Sequence, residues 1–363
     1  MEYDLHQLNF AVGPVMMEDD ILALGKNQVP YFRTPEFSTL MKENEAMMKE
    51  LVDADSESRA VFLTGSGTAA MEAAVINTFN STDFLLVVDG GSFGHRFCEI
   101  CEIHAIPFTR ISLEYGELLT QAHLAPFRQK GYTGFLINMH ETSTGVLYDM
   151  QLVSRFCQDN ALLLIVDAIS SFIADPISMR NLYADIVLTG SQKALAVPPG
   201  VSILVINERT IKRICSQRPT CLYLDLQSAL KNGERGQTPF TPAVGILYQL
   251  HKRMSEILKR GIEAERARMR EVALDFRRRS IEFPFTIPSR SLSNAMTPLS
   301  PTNGRAAYEI YEILKSEYQI IVCPNGGELA SKLFRVGHMG NVSIKDTDTL
   351  LAALQDMQRR GLL

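Results

Sequence analysis

Three short segments of the sequence carry side chains that could bind and activate a small molecule. The first is a run of small residues, Thr64–Thr68, which follows an apolar stretch and precedes a predicted helix over residues 69–80. Free backbone N–H groups at a helix start, with the positive end of the helix dipole, favour binding of a phosphate group. An ordinary capped helix after a glycine turn is the alternative interpretation of this segment.

The other two segments place an aspartate and a lysine at the ends of consecutive predicted strands. Asp167 ends the apolar run Leu162–Asp167, and Lys193 follows the next run, Asp185–Thr189. Ligands gather at the carboxyl ends of strands in open α/β sheets, so both side chains are expected to face one site. Apolar neighbours lower the pKa of a lysine, which frees its amine for carbonyl chemistry. A capping aspartate and a solvated surface lysine are the alternatives for each residue alone.

Together, these three segments supply the parts that hold pyridoxal phosphate (PLP). The helix start would anchor the phosphate, and Asp167 would pair with the pyridine nitrogen and keep it protonated. Lys193 would form an imine with the cofactor aldehyde. The combination therefore predicts a PLP site at one edge of the sheet.

Short apolar runs alternate with longer amphipathic stretches between residues 60 and 210, which is the pattern of strand and crossover helix in a parallel sheet. A polar stretch with glycines and prolines, Lys231–Pro242, indicates a loop and a domain boundary. The pattern predicts a large α/β domain over residues 15–243 and a smaller α+β domain from residues 1–14 and 244–363. The six predicted strands are Ala60–Thr64, Phe84–Asp89, Gly134–Met139, Leu162–Asp167, Asp185–Thr189 and Val201–Ile206.

Two helical predictions concern the C-terminal third. A long helical stretch is expected from Val244 to about Ser280, interrupted at Gly261, and a last amphipathic helix from about Asp346 to Arg360.

Composition excludes several classes of protein. The chain has 363 residues, 46% of them hydrophobic, and its 36 Lys and Arg against 41 Asp and Glu give a net charge of −5 without long runs of one sign. This balance argues against a nucleic-acid binder and a polybasic membrane surface. No apolar run approaches the ~18 residues of a membrane span, and Met1–Asp4 lacks a secretory pattern. Six scattered cysteines fit a reduced compartment, so a cytoplasmic location is expected.

One cluster of metal-binding residue types has the wrong spacing for a zinc site. His95, Cys98, Cys101 and His104 recur every third residue. On a helix, at ~1.5 Å per residue, the two histidines would lie about 13 Å apart along the axis, too far for one ion. We therefore expect no metal site, and a helix whose thiols face the core.

Nine motifs, in order along nearly the whole chain, resemble the class V aminotransferases of the fold-type-I PLP enzymes. Within that family the sequence is similar to the alanine–glyoxylate, serine–pyruvate and 2-aminoethylphosphonate–pyruvate transaminases. The resemblance implies an α/β fold with a three-layer, mostly parallel sheet and a smaller C-terminal α+β domain. The motifs are Gly13-Pro14, Arg33–Phe37, Ser66–Glu72, Gly91–Gly94, His140–Gly145, Val166–Ser171, Ser191-Gln192-Lys193, Thr241-Pro242 and Phe334–Gly340.

The resemblance implies which residues hold the phosphate of PLP. Ser66, Gly67, Thr68 and Gln192 would contact it within one subunit. Thr241 would reach the phosphate of the neighbouring subunit, so a homodimer with active sites at the interface is implied. Some relatives have an aromatic residue three positions before this Thr-Pro pair, where the present chain has Thr238.

The resemblance also implies the contacts of the pyridine ring. Phe93 would stack on one face, and Ile169 would pack on the other. Thr142 would hydrogen-bond the ring hydroxyl, and Asp167 the ring nitrogen. Lys193 would be both the imine lysine and the proton shuttle, so Lys193 and Asp167 are the predicted catalytic residues.

Three residues are predicted to bind substrate. Arg335, in a predicted strand, would clamp the substrate carboxylate as a bidentate fork, with a salt bridge as the alternative. Gly13 and Arg33 complete the set. Arg33 either contacts an anionic group of the substrate or ties down the N-terminal segment.

The predicted function is transfer of an amino group from a small donor, of the alanine, serine or 2-aminoethylphosphonate type, to a small 2-oxo acid such as pyruvate or glyoxylate. One alternative is a cysteine desulfurase or related lyase that uses Cys323. Desulfurases place histidines where this chain has Phe93 and Gln192, and Cys323 ends an apolar strand. A non-catalytic regulator of the same fold is the other alternative, although Lys193 and Asp167 are both present.

Overall fold

The computed structural model describes residues 7–363. Residues 1–6, which include the Met1–Asp4 segment and the start of the predicted smaller domain, lie outside the described residues.

Fourteen strands form within residues 7–363. They are β1 (Leu8–Phe10), β2 (Arg59–Thr64), β3 (Leu85–Asp89), β4 (Phe108–Ser112), β5 (Gly134–Asn138), β6 (His140–Glu141), β7 (Val146–Leu147), β8 (Leu163–Asp167), β9 (Ile186–Gly190), β10 (Val201–Ile206), β11 (Phe285–Thr286), β12 (Met296–Pro301), β13 (Ile320–Pro324) and β14 (Phe334–Gly337).

Thirteen α-helices form in the same part of the chain. They are α1 (Asp19–Leu24), α2 (Pro35–Leu51), α3 (Gly67–Thr78), α4 (Ser92–Ile103), α5 (Gln121–Leu124), α6 (Met150–Asp159), α7 (Met179–Leu182), α8 (Glu208–Ser216), α9 (Leu226–Gly233), α10 (Val244–Arg260), α11 (Ile262–Ser280), α12 (Ala307–Tyr318) and α13 (Ile344–Arg359).

A seven-stranded sheet in the order β2-β10-β9-β8-β5-β3-β4 is the centre of the fold. Its strands from β9 to β4 are parallel, and β10 runs antiparallel to both of its neighbours. Successive residues of β3, such as Leu85 and Leu86, pack into apolar cores on opposite faces of the sheet. This confirms the predicted three-layer, mostly parallel α/β fold, and all six predicted strands form with ends within one residue.

Helix boundaries follow local signals. The helix predicted over residues 69–80 is α3, which begins two residues earlier, at Gly67, because Ser66 adopts the extended N-cap conformation. The predicted interruption at Gly261 is confirmed: this glycine has a φ of +88°, which ends α10 and separates it from α11. The last predicted helix is α13, within two residues at its start.

A second sheet, in the order β1-β13-β14-β12-β11, joins the two ends of the chain. Leu8 of β1 pairs in parallel with Ile320 of β13. Helix α10 packs against α2, and its buried residues belong to the core of the large sheet rather than to that of the second sheet. The predicted domain limits, between residues 14 and 15 and between residues 243 and 244, therefore stay predictions.

Within residues 7–363, no helix is both long enough and apolar enough to cross a membrane.

Candidate active site

The glycine-rich run after β2 forms an open helix start. Ser66 caps α3 with its backbone, but its side chain makes no capping hydrogen bond and is exposed. A Cβ atom at Gly67 would lie 2.4 Å from Cδ1 of Ile169, so only glycine lets Ile169 pack there. The structure therefore brings Ser66, Gly67 and Ile169 together, with the Ser66 hydroxyl free to bind.

Thr68 and Phe93 are joined by Arg96, a residue that the sequence analysis did not identify. Nη1 of Arg96 donates a hydrogen bond to Oγ1 of Thr68 at 3.2 Å, and its Cζ lies 4.9 Å from the centroid of the Phe93 ring. The signal was present in the sequence, because Arg96 follows Phe93 by three positions on one helix and so shares its face. The guanidinium adds a positive charge beside the helix start.

Asp167 is buried at the carboxyl end of β8, beside Asn138 of β5. One of its oxygens accepts a hydrogen bond from the backbone N–H of Ile169 at 2.8 Å. Burial raises the pKa of the Asp167 carboxyl to about 6, although the Ile169 N–H opposes this, and the charge of Glu141 raises it further.

Lys193 and Gly13 are in direct contact. Nζ of Lys193 donates to the carbonyl of Val12 at 2.6 Å, and a Cβ atom at Gly13 would lie 2.8 Å from Nζ. Burial lowers the pKa of the Lys193 amine to about 8. The charges of Arg335 and Asp167 also influence this pKa, the first lowering it and the second raising it.

Gln192 and Thr241 have unused hydrogen-bonding groups. Oε1 of Gln192 is buried and has no hydrogen-bond partner within residues 7–363. Thr241 is exposed, on a segment held to the end of β2 by a 3.0 Å hydrogen bond from the N–H of Ala243 to Oγ1 of Thr64.

Arg335 is buried on β14 and is held by two main-chain carbonyl groups. Nη1 donates to Thr142 at 3.1 Å and Nη2 to Pro324 at 2.5 Å. Its Nε is buried and has no partner among the described residues. Cys323, half-buried, pairs with Arg335 across β13 and β14. One edge of the guanidinium therefore stays available for an anion.

Thr142 belongs to a hydrogen-bonded group that includes His140 and Ser170. Oγ1 of Thr142 donates to Oγ of Ser170 at 2.7 Å, and Nδ1 of His140 lies 2.9 Å from the same oxygen. Burial, then the charge of Lys193, lowers the pKa of His140 to about 3, so the ring is neutral.

Arg33 is bound to a different segment from the other predicted substrate residues. It donates to Oε1 of Gln237 and to the carbonyls of Thr238 and Pro239, at 2.9–3.3 Å. The hydroxyl of Thr238 is itself bonded to the carbonyl of Phe240. The structure thus places Arg33 beside the Thr241 segment and not beside Lys193.

The four residues with zinc-like spacing lie on or just after α4. Cys98 and Cys101 are buried, and burial raises the pKa of each thiol to about 12. His95 contacts Asp89 at 3.0 Å, and His104 contacts Glu72 at 2.8 Å. The thiols face the core, as predicted.

Comparisons with known proteins agree on one family. The aminotransferase class-V family matches residues 25–339. The soluble hydrogenase 42 kDa subunit of Anabaena cylindrica is 31% identical over 93% of this chain and 89% of its own length. An alanine–glyoxylate aminotransferase of Oryctolagus cuniculus is 27% identical over 97% and 92%.

The fold is also that of a solved aminotransferase. An aspartate aminotransferase of subgroup IV from Thermus thermophilus superimposes with a TM-score of 0.90 and 25% identity, over 97% of this chain and 99% of that one. The chain belongs to the class-V aminotransferase family and is a PLP-dependent transaminase.

Proposed function

We propose that this transaminase moves an amino group from a small donor, of the alanine, serine or 2-aminoethylphosphonate type, to pyruvate or glyoxylate. The observation that carries the proposal is the buried guanidinium of Arg335, whose Nε has no hydrogen-bond partner among residues 7–363. The alanine–glyoxylate relative supports the choice of a small 2-oxo acid as acceptor.

The polar groups of the site fit PLP. The Ser66 hydroxyl makes no capping hydrogen bond at the start of α3, where a phosphate would bind. Oε1 of Gln192 also has no hydrogen-bond partner within residues 7–363. The Thr68 hydroxyl and the Arg96 charge lie beside them. Asp167 and Ile169 would then contact the ring, with Phe93 and Thr142 as its other partners.

The cofactor supplies an electron-withdrawing ring that stabilises negative charge at the substrate Cα. The burial of Asp167 serves this chemistry, because a carboxylate in a dry site holds a proton on the ring nitrogen strongly. The lowered pKa of Lys193 leaves more neutral amine at neutral pH than an ordinary lysine has. That amine can attack a carbonyl, and it would then take the proton from the substrate Cα and deliver it to the cofactor carbon.

Arg335 would bind the anionic group of the donor, a carboxylate or a phosphonate, and then the carboxylate of the acceptor. Its two carbonyl partners fix the plane of the guanidinium, and Nε with a neighbouring N–H would form a fork for the anionic group. Gly13 leaves room for the Lys193 side chain, since any side chain at position 13 would displace Lys193.

The active form is proposed to be a homodimer, with Thr241 and Arg33 serving the partner's site. Exposed apolar side chains surround these two residues. The rings of Tyr223 and Phe240 stack with their centroids 5.4 Å apart. Val29, which lies near the start of α10, and Tyr31 are also exposed. An apolar face of this kind is typical of a subunit interface. The six free cysteines, none of them in a disulfide, support a cytoplasmic location.

A screen of half-reactions tests the substrate class. PLP-loaded protein is mixed with L-alanine, L-serine, L-aspartate or 2-aminoethylphosphonate, and the visible absorbance of the cofactor is followed. We expect one of the proposed three donors to bleach it fastest and pyruvate or glyoxylate to restore it. Preference for L-aspartate, or recovery only with larger oxo acids, would contradict the proposal.

A further inference from the structure

Glu141 is a fully buried carboxylate to which the proposed function assigns no role. Its Oε2 accepts hydrogen bonds from the Gly94 N–H at 3.0 Å and from Nδ2 of Asn138 at 2.7 Å. Its Oε1 accepts from the N–H groups of Phe93, at 3.4 Å, and Ser143, at 3.1 Å, and from the Ser143 hydroxyl. Every one of these partners donates, so both oxygens of the Glu141 side chain act as hydrogen-bond acceptors.

The Glu141 carboxylate caps the N-terminus of α4. The first N–H groups of a helix have no partner within it and must be satisfied from outside. In α4 the Ser92 N–H bonds to Oγ of Ser143 at 3.0 Å, and those of Phe93 and Gly94 bond to Glu141. The approach is so close that a Cβ atom at Gly91 would lie 2.6 Å from Cδ of Glu141.

The backbone of Glu141 organises the segment on its other side. Its carbonyl accepts from the N–H groups of Thr144, at 3.2 Å, and Gly145, at 2.7 Å, and so closes the turn that carries Thr142. Glu141 is therefore bonded both to the turn with Thr142 and to the helix start with Phe93, two residues that are far apart in sequence.

We propose that Glu141 is a positioning residue of the active site, which holds the Phe93 ring and the Thr142 turn at a fixed separation around the cofactor. The proposal rests on the proposed contact of Phe93 with the PLP ring. Glu141 acts through Phe93 and Thr142 and does not itself touch substrate. Removing the carboxylate loosens the helix start, and the stacking contact weakens with it.

Two substitutions separate loss of the hydrogen bonds made by the Glu141 side chain from loss of its carboxylate alone. Glu141→Ala removes all five side-chain hydrogen bonds. Glu141→Gln keeps an oxygen at the Oε1 position, and its amide can bond to Asn138 if the Asn138 amide rotates. Oδ1 of Asn138 is buried and has no partner in the described part of the chain, residues 7–363. Only the bond from the Gly94 N–H is then lost, so the Gln variant should keep most of the positioning.

The measurement is the dissociation constant of PLP, determined by equilibrium dialysis of the apoprotein, with thermal unfolding of each apoprotein as the folding check. We expect Glu141→Ala to weaken PLP binding at least tenfold and Glu141→Gln by threefold or less. Visible circular dichroism of bound PLP should change shape in the Ala variant, because the stacking geometry changes. Glu99→Gln, an exposed charge on the same helix, should alter neither quantity.

A double-mutant cycle with Phe93→Ala tests whether Glu141 acts through this ring. In the Phe93→Ala background the effect of Glu141→Ala should fall to less than about a third of its size in the wild type. An undiminished effect, or wild-type PLP affinity of a folded Glu141→Ala protein, would overturn the inference. Wild-type affinity of Phe93→Ala alone would instead contradict the proposed ring contact.

Discussion

The cofactor side and the substrate side of this site are built in different ways. On the cofactor side, Asp167 ends a strand of the large sheet, and Ser66 and Lys193 follow other strands of it within three residues. On the substrate side, Arg335 comes from the second sheet and is held by carbonyl groups of two distant segments, at Thr142 and Pro324. The geometry of the cofactor side therefore depends on the register of one sheet. The geometry of the substrate side depends on how separate parts of the fold pack together.

This difference indicates which side tolerates change. Strand ends in one sheet are set by backbone pairing, so a side chain there can be replaced while its neighbours stay in place. A guanidinium held by carbonyl groups of other segments depends on each of those contacts. We therefore expect substitutions on the cofactor side to affect chemistry selectively, and those on the substrate side to affect substrate binding and turnover together.

Lys193→Ala tests the cofactor side with the largest expected effect. The substitution removes both the covalent link to PLP and the proton carrier, so turnover should fall by about 10²–10⁴-fold or more. The fold should persist, since the Lys193 side chain makes a single hydrogen bond, to Val12. Steady-state turnover and thermal unfolding are the measurements. Near-normal transamination would remove Lys193 from its proposed role.

Asp167→Asn should lower the half-reaction rate by about 10²-fold, because it keeps shape but loses the charge that holds a proton on the ring nitrogen. Substrate affinity should change far less. Stopped-flow measurement of the half-reaction at several substrate concentrations separates the two. Equal losses in both would indicate a structural aspartate.

The same variant should leave the apoprotein at least as stable as the wild type at pH 7.5. The pKa of Asp167 is raised to about 6 in the folded state, from 3.8. The folded state therefore binds more protons between these values, and the free energy of unfolding falls by about 3 kcal/mol as pH rises through them. Asp83→Asn, which breaks the ion pair of a buried aspartate with the half-buried Arg213, is the control: it should lower stability and leave the rate unchanged.

Arg335→Lys and Arg335→Ala test the substrate side. A single ammonium cannot reproduce a two-pronged contact, so both variants should lose at least tenfold in kcat/KM for pyruvate or glyoxylate, about 1.4 kcal/mol. The visible absorbance of bound PLP should be retained. Arg278→Ala, at an exposed position, is the control. Wild-type turnover of the Ala variant would mean that the carboxylate binds elsewhere, with Arg33 the next candidate.

The smallest expected effect is a pH dependence of cofactor attachment. Only the neutral amine of Lys193 attacks the PLP aldehyde, and burial lowers its pKa to about 8. The rate of covalent attachment to the apoprotein should therefore rise with pH and level off above a midpoint near 8. A midpoint close to 10.5, the ordinary value for lysine, would show that the amine is solvated.

The amino-acid sequence by itself determined the strand–helix alternation and the residues at its turns. Strands such as Val201–Ile206 and the helix break at Gly261 are predictable, because hydrophobic periodicity and glycine conformation act over a few residues. Asp167 and Lys193 were identifiable for the same reason, since Asp167 ends one apolar run and Lys193 comes four residues after the next.

Only the tertiary structure decided which distant residues meet. It shows Arg96 bonded to Thr68, Glu141 beneath the start of α4, and Arg33 bound to the Thr241 segment. It also places α10 on the large core rather than with the second sheet. These contacts join residues that are far apart in sequence, and local patterns do not encode them, because they depend on how the two sheets and their helices pack.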